Sequence, residues 1–293
     1  MRYVLIIGDG IADRPVAPLG GKTPLEALAL PGMARLASQR MGLARTVPEG
    51  VAPGSDTAIL SIFGCDPRTC YTGRAALEAA GAGVTLRQGE TCWRVNLATV
   101  EGDEFAGALM RSHNGMGIGG REALDTVDAL LADAEFSALA RELGFVIHPS
   151  PTFRQMGVGP VGSAWGDPLP GPHDHLGEPI GELIPQGNIR RLVEASFHAL
   201  RGRRANCIWP WAPGEAMGLD SFAERYGHSG PVVSAVPLVK GIARLCGLPA
   251  PEVEGATGEL DTNYEGKVAA ALSGLDALSL IHISEPTRPE PIS

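Results

Sequence analysis

The apolar and polar positions of the first 85 residues alternate between short apolar runs and amphipathic stretches. A β-branched apolar run at residues 3–8 predicts a buried strand that ends in Gly8, Asp9 and Gly10. The pattern also predicts a second short strand near 43–45 and helices over 24–39, 57–63 and 75–80. An alternation of strands and helices is typical of a mostly parallel sheet. We therefore expect an α/β fold with a doubly wound, mostly parallel sheet.

The sequence pattern in the middle of the chain differs from the strand–helix alternation of the first 85 residues. It predicts an inserted α+β domain over residues 86–204. It contains a strand-like segment at 92–97, a long amphipathic stretch that predicts a helix over 121–143, and connections rich in Gly and Pro. After residue 206 the pattern again predicts strands together with a helix. We expect strands at 207–209, 230–235 and 251–254 and a helix at 237–246. We therefore assign residues 1–85 and 205–278 to the core.

Residues 279–293 change character abruptly and are rich in proline. They resemble the translated read-through of a sequencing adapter or cloning vector, and such a segment gives no information about the native fold. A natural disordered tail is the alternative. In either case we expect the sheet to be incomplete at the C-terminal end.

Composition narrows the function classes only slightly. The chain has 293 residues, 44% of them hydrophobic, and a net charge of −9. It has no basic run, which makes nucleic acid or an anionic membrane surface an unfavourable partner. Its five cysteines form no CxxC pair, and it has neither a signal-like leader nor a long apolar stretch. We expect a cytoplasmic protein.

Two residues suggest chemistry. Asp9 follows directly after the first strand, where ligands collect in open α/β sheets, and Ser55 stands at the entry to an apolar helix. A strand-end carboxylate can bind Mg²⁺ or Mn²⁺, and a metal ion can activate a serine hydroxyl as a nucleophile. The alternatives are a turn residue for Asp9 and a helix cap for Ser55.

The order and spacing of several motifs resemble the archaeal-type cofactor-independent phosphoglycerate mutases, members of the alkaline phosphatase superfamily. The resemblance covers residues 1–278. Its motifs lie at residues 7–15, 19–26, 45–50, 53–56, 64–68, 71–74, 172–174, 234–242 and 255–267.

This resemblance implies a phosphatase-like core with two divalent metal ions, manganese or magnesium, and an inserted domain that holds the substrate. It implies interconversion of 3-phosphoglycerate and 2-phosphoglycerate through a phosphoserine intermediate, without 2,3-bisphosphoglycerate. Asp9 matches the first metal ligand, and Ser55 matches both the nucleophile and a metal ligand. The family's remaining ligands follow downstream in an Asp-x-x-x-His motif, an Asp-His pair and a final His, which this sequence lacks. We therefore expect a C-terminally truncated chain that is itself inactive.

The substrate of such a site is a small phosphorylated hydroxy acid. Its negatively charged oxygens are bound by Arg or Lys side chains. Arg74, Arg154 and Lys267 are the candidates, with a solvated surface lysine as the alternative for Lys267. His173 and His175 flank an acid in a Pro-rich loop, for which we expect a rigid loop or a substrate contact rather than a metal site. No motif indicates a nucleotide.

Two departures from the family leave other functions open. Ile59 stands where relatives carry Asn, and residues 112–120 lack the Ser-Ala-Gly-His pattern of the family. A related phosphotransferase that acts on homoserine or another small hydroxy acid is one alternative. A non-catalytic fragment that binds anions weakly is another.

Overall fold

The structure is a computed structural model that describes residues 3–277 and 280–284. The chain divides into two compact units. Unit 1 comprises Met1–Tyr71, Ala80–Ala82 and Gly218–Ser293, and unit 2 comprises Thr72–Ala79 and Gly83–Met217. The boundaries expected from the sequence were 85/86 and 204/205.

Unit 1 contains a parallel sheet of three short strands in the order β1, β8, β7. These strands are β1 (Val4–Gly8), β7 (Val232–Val233) and β8 (Leu280–Ser284). The backbone of β8 pairs with both neighbours, with Val4 opposite Leu280 and Val232 opposite Ile281. Strand β8 thus falls inside the segment 279–293 that the sequence analysis left out of its fold reasoning.

Helices make up most of the regular structure in unit 1. They are α1 (Pro24–Ala27), α2 (Pro31–Ala37), α3 (Ser55–Ile62), α4 (Pro67–Cys70), α10 (Phe222–Tyr226), α11 (Pro237–Leu245) and α12 (Tyr264–Ala277). The helix expected over 24–39 is broken, because Leu30 precedes a proline and adopts φ −116° and ψ 71°, outside the α-helical region. The strands expected near 43–45 and 251–254 were wrong, since both segments are irregular.

Unit 2 is built on an antiparallel sheet. Its strands run in the order β3, β2, β5, β4, and β6 also pairs with β2; their bounds are β2 (Glu90–Glu101), β3 (Leu109–Ser112), β4 (Val146–His148), β5 (Arg154–Pro160) and β6 (Cys207–Glu215). The sequence analysis assigned 207–209 to the core. In the structure this segment instead lies antiparallel to β2, with Ala98 opposite Cys207.

Five helices complete unit 2: α5 (Arg74–Gly81, whose last two residues belong to unit 1), α6 (Gly120–Ala132), α7 (Ala134–Leu143), α8 (Ile180–Leu183) and α9 (Asn188–Ala199). The single helix expected over 121–143 is therefore two helices, which break at Asp133.

The two faces of β2 have different environments. Trp93, Val95 and Leu97 join the main core of the unit, together with apolar side chains of α6, α7 and α9. Alternate residues point to the other face, where Cys92 joins a smaller cluster with Ala75 and Ala79 of α5. Arg94 and Asn96 share this second face with Cys92, so that two polar side chains lie on a buried strand.

The fold is a mixed α/β architecture, but the expectation of a mostly parallel, doubly wound sheet was wrong for the described strands. Parallel pairing is confined to the three strands of unit 1, and the larger sheet is antiparallel throughout. Strand β2 pairs with β3, the next strand along the chain, and with β5 and β6, which follow later. Within the described ranges, no helix is long and apolar enough to cross a membrane.

Candidate active site

Ser55 is the first residue of α3. The N-cap position belongs to Gly54, which has extended backbone and offers no side-chain hydrogen bond. A Cβ at Gly54 would come within 2.4 Å of Asp56 Oδ1, so a larger residue there would displace that carboxylate. The capping role considered for Ser55 was therefore wrong.

The hydroxyl of Ser55 donates a hydrogen bond to Asp9. The distance from Ser55 Oγ to Asp9 Oδ2 is 2.7 Å, and both residues are half-buried. Asp9 reaches this position because β1 ends at Gly8 and the chain turns at Gly10, whose φ of 78° favours glycine. Two residues that are 46 positions apart in sequence thus meet in unit 1.

The first turn of α3 is held by polar contacts on both sides of Ser55. The hydroxyl of Tyr71 donates to Asp56 Oδ2 at 2.5 Å. Thr57 is buried, and its Oγ1 lies 3.1 Å from each of the carbonyl oxygens of Ala52 and Gly54, which share its one hydrogen. These bonds fix the backbone that carries the Ser55 hydroxyl.

Arg74 and Arg154 lie in unit 2 and belong to one charged cluster. Arg74 Nε donates to Glu78 Oε1 at 2.7 Å, one helical turn further along α5. Arg154 is the first residue of β5 and lies opposite Asn96 of β2. Its pKa is lowered mainly by burial, while the charge of Glu78 raises it and that of Arg74 lowers it.

Arg94 is a member of this cluster that the sequence analysis missed. Its Nε lies 3.0 Å from Glu78 Oε2, and its side chain is only 7% exposed. Burial lowers the pKa of Arg94 to about 10, and the neighbouring Arg154 and Arg74 charges act in the same direction. A charged residue in the middle of the mostly apolar segment 92–97 was the sequence signal for it.

Lys267 lies on α12 of unit 1 and is only 2% exposed. Its Nζ lies 5.9 Å from the centre of the Tyr264 ring, within the range of a cation–π contact. The alternative of a solvated surface lysine was therefore wrong. The structure thus places Asp9 and Ser55 together, Arg74 and Arg154 in a second group, and Lys267 on a separate helix of unit 1.

The Pro-rich loop of unit 2 forms a single turn of 3-10 helix over Pro172–Asp174. The His173 ring contacts Trp211 at 5.6 Å and His113 at 6.0 Å between ring centres. His175 Nδ1 lies 2.9 Å from Glu178 Oε2. The ring contacts of His173 hold the loop against β6 and the segment after β3, and the contact of His175 with Glu178 lies within the loop.

Comparison with known proteins identifies the family. A family model described as 2,3-bisphosphoglycerate-independent phosphoglycerate mutase matches residues 37–203. A probable mutase of this type from Geobacter sulfurreducens is 41% identical over 308 aligned positions, which cover 97% of this chain and 73% of that protein. The mutase of Methanosarcina acetivorans is 39% identical, with 98% and 74% covered. The chain belongs to this family.

Two solved structures resemble this chain in fold. The PH0037 protein from Pyrococcus horikoshii is 28% identical and superposes with a TM-score of 0.71, covering 97% of this chain and 70% of that one. The cofactor-independent phosphoglycerate mutase from Thermoplasma acidophilum is 24% identical, has a TM-score of 0.57 and covers 99% and 78%, which shows a likeness of fold alone. This chain spans about three quarters of the length of its mutase relatives.

The mutase family is metal-dependent. The question is therefore whether the described residues supply enough ligands for two divalent ions. Asp9 and Ser55 are hard oxygen donors of the kind that Mg²⁺ and Mn²⁺ prefer. In the part of the chain that the structure describes, however, no group of three or more His, Cys, Asp or Glu residues could hold a metal ion. One carboxylate and one hydroxyl do not meet the roughly six ligands that each such ion takes. The described residues therefore do not fit a complete two-metal site.

Proposed function

We propose that this chain carries the nucleophile of a phosphoglycerate mutase that interconverts 3-phosphoglycerate and 2-phosphoglycerate through a phosphoserine at Ser55. The observation that supports the proposal is the hydrogen bond from Ser55 at the start of α3 to Asp9 at the end of β1. Membership of the mutase family supplies the reaction class, an isomerisation.

The proposed reaction transfers one phosphoryl group twice. Ser55 Oγ attacks the phosphorus, the bond from phosphorus to the glycerate 3-oxygen breaks, the proton of the Ser55 hydroxyl ends on that oxygen, and phosphoserine forms. The 2-hydroxyl of the retained glycerate then attacks the same phosphorus, the bond to Ser55 Oγ breaks, and the proton of the 2-hydroxyl ends on Ser55 Oγ. Free N–H groups and the positive end of the dipole at the N-terminus of α3 favour the negative phosphoryl group.

In the proposed reaction, Asp9 orients the hydroxyl of Ser55. Because its carboxylate accepts the hydrogen of the Ser55 hydroxyl, the lone pairs of Oγ face away from Asp9 and toward an incoming phosphorus. Asp9 and Ser55 are also the residues we propose as first ligands of the divalent ions, which would need further donors. No 2,3-bisphosphoglycerate or nucleotide takes part in the proposed reaction.

The substrate in this proposal is a small phosphorylated hydroxy acid, and Arg74, Arg154 and Lys267 are the residues proposed to bind its oxyanions. All three are cationic, and Lys267 is fully buried, which is typical of a residue with a specific partner. A forked guanidinium matches the geometry of a carboxylate or a phosphoryl group.

For the whole protein we propose an alkaline-phosphatase-like core that comprises unit 1 and further strands, and an inserted substrate domain that comprises most of unit 2. Residues 279–293 stay a proposed foreign tail. A cytoplasmic location fits the metabolic role and the five cysteines, all of which are free in the structure.

The decisive test is removal of the nucleophile. Residues 1–278 are joined to the C-terminal segment of the Geobacter sulfurreducens relative, and we call this protein the extended chain. In the extended chain, Ser55→Ala should lower kcat for 3-phosphoglycerate by at least about 10³-fold, because the covalent route has no other hydroxyl. Turnover is followed by coupling 2-phosphoglycerate to its dehydration.

The matched control is Ser61→Ala, which removes a hydroxyl of the same helix that donates to the Thr57 carbonyl oxygen. It should leave kcat within a few-fold. A comparably small loss in Ser55→Ala would contradict the proposal. ATP-dependent phosphorylation of homoserine by the extended chain, with no mutase activity, would instead identify the alternative phosphotransferase.

A further inference from the structure

Cys65 and Cys246 form a close pair of thiols in unit 1. Their sulfur atoms are 3.9 Å apart, although the two residues are 181 positions apart in sequence. A disulfide bond is about 2.05 Å long, so the two sulfur atoms need to approach each other by about 1.9 Å to form one. A small movement of the two side chains therefore brings the thiols within bonding distance.

Both cysteines lie where a helix ends. Cys65 follows α3 and precedes α4, in a turn where Gly64 has a φ of 81°. Cys246 follows the last residue of α11 and has a φ of −82° and a ψ of 7°. Because neither residue lies in the interior of a helix, a shift of these turns leaves the interior hydrogen bonds of α3 and α11 intact.

The surroundings of Cys65 favour its thiolate. The contact with the Cys246 thiol lowers the pKa of Cys65 to about 7, against the effect of burial, and the charge of Arg225 acts in the same direction as that contact. Arg225 Nη1 donates to the carbonyl oxygen of Gly64, one residue before Cys65. The thiolate is the reactive form of cysteine toward oxidants, so Cys65 is the attacking residue of the pair.

The other three cysteines have different environments. Burial raises the pKa of Cys92 and of Cys207 to about 12, so that both are thiols at neutral pH. Cys70 is the most exposed of the five, and its pKa is also raised, mainly by burial. Cys65 is 5% exposed, which suits an oxidant as small as hydrogen peroxide better than a disulfide of another protein.

We propose that Cys65 and Cys246 are a redox-active pair that hydrogen peroxide converts into a disulfide bond. The Cys65 thiolate attacks one peroxide oxygen, the O–O bond breaks, hydroxide leaves, and Cys65 becomes a sulfenic acid. The Cys246 sulfur then attacks the Cys65 sulfur, the S–O bond breaks, and the hydroxide leaves as water with the proton of Cys246. The peroxide gains two electrons, one from each sulfur.

The disulfide would join the end of α3, whose first residue is Ser55, to the end of α11. It would also protect Cys65, because a sulfenic acid without a partner thiol is oxidised further to the irreversible sulfinic acid. A thiol reductant restores both thiols by exchange. This inference does not depend on the phosphoryl chemistry proposed for Ser55.

The first experiment maps the bond in the 293-residue chain. The reduced chain is exposed to a small excess of hydrogen peroxide, its remaining thiols are alkylated, and it is digested with trypsin, which places each of the five cysteines in a different peptide. We expect one linked species that joins residues 46–68 to residues 245–267, and dithiothreitol should remove it.

The same treatment in concentrated urea is the control for the fold and should show no preference for this pair. A bond from Cys65 to Cys70, a mixture of pairings in the absence of urea, or five free thiols after exposure would overturn the proposal.

The second experiment separates the roles of the two cysteines. Cys246→Ser keeps a hydrogen-bond donor beside Cys65 but removes the partner sulfur, so the reaction should stop at the sulfenic acid of Cys65, which dimedone traps. Dimedone should label Cys65 at least about tenfold faster than Cys70, because an ordinary cysteine is only a few per cent thiolate at neutral pH. Faster labelling of Cys70, the more exposed residue, would contradict the assignment of Cys65.

Cys207→Ser is the matched control, since Cys207 is a buried cysteine of unit 2. It should form the link between 46–68 and 245–267 to the same extent as the unmodified chain, whereas Cys65→Ser should leave Cys246 as a free thiol. Oxidation of Cys246 in Cys65→Ser at the rate of the unmodified chain would show that Cys65 is not the attacking residue.

Discussion

Cys65 and Cys246 lie with their sulfur atoms 3.9 Å apart in unit 1, and both are buried. The hydrogen bond from the Cys246 thiol lowers the pKa of Cys65 to about 7, against the opposing effect of burial. The same contact, together with burial, raises the pKa of Cys246. Above about pH 7 the pair should therefore hold one proton, on Cys246, with Cys65 as the thiolate.

This pair predicts a stability that depends on pH. Between about pH 7 and 9 the folded chain has lost the Cys65 proton while the unfolded chain still holds it, so that the free energy of unfolding should rise with pH. Above about pH 9 the unfolded chain loses both thiol protons while folded Cys246 keeps its own, so that stability should fall again.

Urea titrations at pH 7, 9 and 10.5 measure this effect, which we expect to be of the order of 1 kcal/mol. Cys65→Ser cannot form the thiolate and should lose the rise between pH 7 and 9. A rise of the same size in Cys65→Ser would show that other groups cause it.

At the level of the helices, Asp133 divides a stretch that the amphipathic pattern presents as one helix. Its φ of −67° and ψ of 127° are extended, and its N–H is shared between the carbonyl oxygens of Ala129 and Leu130 in the last turn of α6. Its side chain accepts from the N–H of Phe136 at 2.9 Å and so caps α7. Periodicity continues across the break because both helices pack their apolar faces on the same core.

Asp133→Ala should therefore destabilise unit 2 by about 1 kcal/mol, the usual cost of losing a helix N-cap. Asp128→Ala is the control, since Asp128 is exposed in the interior of α6 and its removal should change stability by less than about 0.5 kcal/mol. Urea unfolding followed by circular dichroism compares the two. Equal stability of both variants would mean that the cap contributes nothing to the fold.

The strands illustrate the limit of reading elements from a pattern. Segment 92–97 was correctly predicted as a strand, although β2 extends further at both ends. Its pairing could not be predicted, because β5 and β6 follow more than fifty residues later and either a parallel or an antiparallel neighbour would satisfy an apolar strand. The local pattern reports burial, and the partner strand is chosen by the packing of the whole unit.

For the whole molecule, the number of metal ligands leads to a further prediction. The described residues offer Asp9 and Ser55 but no cluster that could hold a metal ion. The 293-residue chain should therefore show no mutase turnover with Mn²⁺, whereas the extended chain should be active and should lose activity on chelation. Assays of both proteins with 3-phosphoglycerate decide this, and equal activity of the two would contradict it.

Sequence alone determined the features that depend on near neighbours. It placed Asp9 after a strand and Ser55 at the start of a helix, since glycines and a run of β-branched residues act locally. The family followed from the order and spacing of its motifs, which need no coordinates. The role of Ser55 as nucleophile stays a proposal.

Tertiary structure alone decided which of these residues meet. The hydrogen bond from Ser55 to Asp9 spans 46 positions, and the pairing of Arg94 with Glu78 joins a strand to a helix. Burial of Arg94 and of Lys267 reversed the usual expectation that such side chains are solvated. Contacts of this kind depend on how helices and strands pack against one another. The order of apolar and polar positions along the chain does not specify that packing.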